Sequence, residues 1–80
     1  MRYPDGQLVS VGDVVSFVND RGVVVGVVGG GAFLDPFKAE DYADLGSGVL
    51  VRTDRGALVL FSDEEHLADM SFVLERRRDL

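Results

Sequence analysis

Valine is the residue that most narrows the choice of fold. Fourteen of the 80 residues are valine, in segments of at most six residues, most of them ended by glycine, asparagine or aspartate. A β-branched side chain is stiff at χ1 and suits a pleated surface. Short apolar segments bounded by turn formers read as strands of a small antiparallel sheet. Val14 to Val18 and Val23 to Val28 are the firmest, joined by a hairpin loop at Asn19-Asp20-Arg21-Gly22. Gly48 to Thr53 and Ala57 to Phe61 form a second pair around Asp54-Arg55-Gly56, and Ser71 to Glu75 closes as a fifth strand. Gln7 to Val11 reads as a short edge strand after the turn at Tyr3-Pro4-Asp5-Gly6. Gly26, inside the second strand, marks a bulge or a barrel corner. Ser62 is placed to cap a short helical turn before Asp69, with Glu65 completing a capping box. The expected core is Val15, Phe17, Val23, Val25, Val49, Val51, Leu58 and Leu60.

These elements describe one all-β domain over residues 1–80, a five-stranded antiparallel barrel with one long loop and a short helical turn; residues 76–80 form a charged tail expected to fray. Closure would remove the exposed edges that make so valine-rich a chain prone to aggregate. An OB-fold would need a helix between the third and fourth strands, where this chain has only Asp54-Arg55-Gly56. With no cysteine and a single histidine, the core has neither a disulfide framework nor a zinc site to lean on. A hydrophobic content of 46% meets that demand. No apolar run approaches the roughly 20 residues of a spanning helix, and the first residues lack the apolar stretch of a signal peptide. The expected setting is the cytoplasm, with no membrane partner.

Charge bears on the partner. The net charge of −6 opposes phosphate backbones, which are bound by lysine and arginine, so no nucleic-acid partner is expected. An acidic surface can instead steer a basic protein. The acids concentrate in the longest irregular segment, Ala32 to Gly46, where Asp35, Glu40, Asp41 and Asp44 outnumber Lys38 by three charges. A loop this long in so small a domain is usually functional or an ordered surface loop. The candidate partner-binding set is Asp35, Phe37, Glu40, Asp41, Tyr42 and Asp44, joined by Asp63, Glu64 and Glu65. Aromatics supply buried anchors and acids supply steering; alternatively Phe33, Phe37 and Tyr42 cap the open end of the barrel.

Signals for chemistry are weak. Gly29-Gly30-Gly31 follows a strand, but no Gly-Lys-Ser/Thr follows it. Asp63, Glu64, Glu65, His66 and Asp69 carry metal-ligand types without the spacing of a calcium loop. Ser62 and His66 lie one helical turn apart, with no oxyanion hole in view. No enzyme activity, cofactor or metal is expected.

Tyr3-Pro4-Asp5-Gly6, Val11-Gly12-Asp13-x-Val15 and Gly22-Val23-Val24-Val25 are similar to the opening of small bacterial SH3-like proteins. Asp41-Tyr42-x-x-Leu45-x-Ser47-Gly48-Val49-Leu50-Val51, then Thr53 and Gly56-Ala57-Leu58-Val59, extend the resemblance over residues 3 to 61. The set resembles immunity-type proteins encoded beside bacterial polymorphic toxins. The resemblance implies an SH3-like barrel, a monomer or weak dimer, that binds a cognate toxin and blocks its active site. The Val-Gly-Asp-x-Val turn also occurs in KOW-like nucleic-acid and ribosome-associated modules. That alternative would draw on Arg21, Arg52, Arg55 and the Arg76-Arg77-Arg78 tail. An adaptor domain in a larger assembly is the third reading.

Overall fold

A computed structural model describes residues 1–77. The elements run β1 (Val14–Phe17), β2 (Asp20–Val28), β3 (Ala32–Phe33), β4 (Gly48–Thr53), β5 (Leu58–Phe61), α1 (Glu64–Asp69) and β6 (Val73–Arg76). Ala39–Asp41 and Ala43–Leu45 are 3₁₀ turns between β3 and β4. All strands join one antiparallel sheet in the order β5-β4-β2-β1-β6, with β3 added to β2 beyond the end of β1. The all-β, antiparallel, barrel-like architecture expected from the sequence is the one the chain adopts, with six strands rather than five. The extra strand is β3, two residues that the glycine turn before it returns to β2. Gln7 to Val11 is not a strand: a single bridge between Arg2 and Leu8 holds that segment.

The first hairpin is tighter than the sequence suggests. Phe17 pairs with Asp20, so Val18 and Asn19 alone make the turn, Asn19 at φ 60°. Gly22 therefore belongs to β2, where its role is close approach. A Cβ there would sit 2.9 Å from both Thr53 Cα and Val51 Cγ1 on β4. The bulge expected at Gly26 is present, as the β2–β4 register shifts between Val24 and Gly26.

Cross-strand register corrects the expected core. Val24 pairs with Val51 and faces inward, while Val23 pairs with Arg52 on the outer face and is half-buried. Val25 is buried, yet it lies outside the central cluster. On β5, Val59 and Phe61 pair with the inward Val51 and Val49. Leu58 is thereby exposed and Leu60 half-buried. Four consecutive apolar residues give a period-2 pattern no phase, so cross-strand register chooses the inner face. Val15, Phe17, Val49 and Val51 are core as expected, with Val24, Phe61, Leu67 and Phe72. At the centre Phe17 stacks on Phe72 at 5.2 Å, and Phe61 meets Phe17 and Phe72 edge-on at 5.1 and 4.9 Å. Such pairs add to the energy of burial.

The N-terminal segment and Arg77 are tied to this core. Tyr3 and Val9 are members of it. Asp13, only 1% exposed, accepts hydrogen bonds from the Tyr3 hydroxyl at 2.6 Å and the Ser10 amide at 3.0 Å. Arg77 reaches the same carboxylate at 3.8 Å and donates to Ser10 Oγ and the Leu8 carbonyl. Burial, and then the bond to Asp13, push the Tyr3 phenol well above its ordinary range. Asp5 is held below the usual carboxylate range by the Gln7 amide and then the Gln7 side chain. The expected fraying tail is thus partly structured: Arg76 is in β6 and Arg77 is anchored. Residues 78–80 lie outside the described residues. The helix cap is displaced by one position: Asp63 Oδ1, not Ser62, accepts the His66 amide at 2.8 Å.

Candidate functional site

The long loop is held in place by its own short bonds. Leu34 N donates to Val25 O and Phe37 N to Leu34 O, each at 2.8 Å. The 3₁₀ turns Ala39–Asp41 and Ala43–Leu45 follow. Aromatic stacking does the rest. The Phe33 ring lies against Gly26, where any Cβ would overlap it. Its other neighbour is Tyr42, stacked at 5.5 Å with planes 11° apart, and Tyr42 in turn meets Phe37 at 6.4 Å. All three rings are half-buried. They cover the outer face of β2 and β4, where Val25, Val28 and Leu50 are buried outside the central cluster.

With the rings turned to the sheet, the acids point out. Asp35, Glu40, Asp41 and Asp44 are all exposed. Among the described residues none of the four forms an ion pair. The second acidic group is arranged differently. Asp63 is occupied as the α1 cap, Glu64 accepts the Arg2 amide at 2.8 Å, and Glu65 is exposed. The structure brings Phe37 and Tyr42 together and seats Asp35 beside Phe37. It does not bring Asp63, Glu64 or Glu65 into that cluster.

Asp35 and Phe37 form part of one wall of an open groove of about 370 Å³. Val23 and Val25 of β2 line it with Leu34 and Pro36, and Arg52, Thr53 and Asp54 form the opposite side. Sequence reasoning missed this groove. Its one legible signal was Arg52, the sole charged residue in the otherwise apolar β4 run. Among the described residues no group of three or more histidine, aspartate and glutamate side chains gathers as a metal site. Ser62 is exposed, and the His66 ring packs against Phe61 at 5.2 Å.

Comparison with family models, curated proteins and solved structures finds no match to this chain. Among the described residues no helix is long and apolar enough to cross a membrane.

Three of the arginines on which nucleic-acid binding would depend are paired with acids. Arg21 pairs with Asp54 at 3.7 Å, Arg55 with Asp20 at 4.0 Å, and Arg77 with Asp13. The first two pairs cross between the β1–β2 and β4–β5 hairpins. They leave Arg52 and Arg76 as the arginines of that set without an ion pair among the described residues.

Proposed function

We propose that this chain is a cytoplasmic immunity-type protein. It binds a cognate bacterial toxin through the acidic loop and inhibits it by occupying a basic patch at the active site. It performs no chemistry of its own. The observation that carries this reading is the loop itself: four exposed carboxylates, unpaired among the described residues, on a segment packed by the Gly26-Phe33-Tyr42-Phe37 stack. Surface acids contribute little to stability, so fixing several of them on an ordered loop serves recognition better than folding. Preorganisation reduces the ordering cost of binding, and an acidic face raises the rate of encounter with a basic one. Toxins that act on phosphorylated substrates present basic patches, and an acidic loop mimics the charge of such a substrate. The resemblance over residues 3 to 61 supports the toxin as the class of partner.

The test is co-expression with the toxin encoded beside this gene. Asp41→Lys with Asp44→Lys should leave the fold intact, yet weaken protection of the cells. A folded double variant that still protects fully would exclude the loop as the interface.

A further inference from the structure

We propose that the groove between the loop and the outer face of β2 and β4 seats one aromatic side chain of a protein partner, flanked in the partner by basic residues. The proposal rests on the partner-binding reading of the loop and names the anchor that the loop alone lacks. Phe37 and Tyr42 are half-spent on the loop's own packing. The apolar contact of an interface must then come from the partner into a pocket on this chain, the usual arrangement of a binding hot spot.

The lining suits a ring. Val23, Val25, Leu34, Pro36 and Phe37 give an apolar floor and wall, and about 370 Å³ lies at the small end of ligand-sized sites, room for one large side chain. Arg52 stands on the far side, exposed and without an ion pair among the described residues. Its row across the sheet is Arg76, Val14, Val23, Arg52, Leu58, so its immediate sheet neighbours, Val23 and Leu58, are apolar. A planar guanidinium with no carboxylate partner stacks well on an aromatic face. The charge beyond the groove decides the flanks. Asp35 stands on the rim and Glu40, Asp41 and Asp44 continue along the loop against the single Lys38, so residues beside the ring must be basic.

The experiment is an amide-resolved NMR titration with capped tripeptides. Acetyl-Lys-Trp-Lys-amide should shift the Val23, Val25 and Phe37 amides saturably. Acetyl-Lys-Ala-Lys-amide should bind about tenfold or more weakly, for want of the buried ring. Acetyl-Glu-Trp-Glu-amide should also bind more weakly than the lysine peptide. Arg52→Ala lies at an exposed position, and it should weaken the tryptophan peptide about two- to fivefold while leaving the alanine peptide unchanged. Groove amides unmoved at about 10 mM peptide, where even weak binding would register, would overturn the proposal. So would equal affinity for the alanine or glutamate peptide, or an Arg52→Ala variant that binds tryptophan peptide unchanged. Failure here and failure of the loop reading are distinguishable. Peptide binding in the groove with full protection by the Asp41/Asp44 double-lysine variant excludes the loop alone. Lost protection without peptide binding excludes the groove alone.

Discussion

Replacing Asp13 by alanine should destabilise this domain more than any change of a surface acid, for a reason visible in one carboxylate. Asp13 is 1% exposed and accepts from Tyr3 Oη at 2.6 Å and Ser10 N at 3.0 Å. Without it the Tyr3 hydroxyl, on a ring 3% exposed, is a buried donor with no acceptor, which costs about 1–3 kcal/mol. Ser10 is exposed and its amide can turn to water, so its lost bond adds about 0.5–1.5 kcal/mol. Arg77 keeps Ser10 Oγ and Leu8 O as acceptors and is partly solvated, so its ion pair adds little. The sum is about 1.5–4.5 kcal/mol, a large share of the roughly 4–12 kcal/mol expected for a chain of this size. It corresponds to a fall in Tm of roughly 10–30 °C. Urea unfolding followed by circular dichroism measures it directly. The decisive control is the same substitution in a Tyr3→Phe background, where no hydroxyl is left to orphan. There the cost of losing Asp13 should drop by about 1 kcal/mol or more. A cost below about 0.5 kcal/mol, or one equal in both backgrounds, would refute the reasoning.

Two further perturbations probe the same architecture. Val51→Ala, at a site with no exposure inside the central cluster, should cost about 1–3 kcal/mol, while Leu58→Ala at 43% exposure should cost no more than about 0.5–1 kcal/mol; paired urea titrations compare them. The raised Tyr3 value makes the unfolded chain lose its phenolic proton first, so stability should show no Tyr3 contribution to its slope below about pH 10. It should then fall as pH rises above that point, and Tyr3→Phe should remove that part of the alkaline slope in urea midpoints measured across it.

The sequence carried the strands because valine segments and turn formers are local signals. β1, β4, β5 and the hairpin at Asp54 to Gly56 lie where period-2 reasoning puts them. What escaped it was set by partners distant in the chain. Val24 rather than Val23 faces inward because it stands opposite Val51 on β4, and β5 turns in Val59 and Phe61 because Val51 and Val49 stand opposite. Gly22 reads as a turn residue, yet it serves the approach of Arg52 and Thr53, thirty positions on. Asp13 reads as a turn former, and no spacing rule couples it to Tyr3 or Arg77. The acidic character of the loop was plain from composition. Its order was not, since that depends on Phe33 finding the bare backbone of Gly26. The same holds for the groove, whose two sides come from β2, β4 and the loop.

The most direct test of the acidic loop as a partner surface is the association rate of the purified protein with a toxin of the kind proposed as its partner, measured by stopped flow against ionic strength. Electrostatic steering contributes roughly 10- to 1,000-fold at low salt and is lost as charges are screened. Wild-type association should therefore slow at least about tenfold from low to high salt, with dissociation changing much less. The Asp41→Lys, Asp44→Lys variant should start slow at low salt and lose that dependence. If the variant, shown to be folded, associates as fast as wild type with the same salt dependence, the loop does not face the partner.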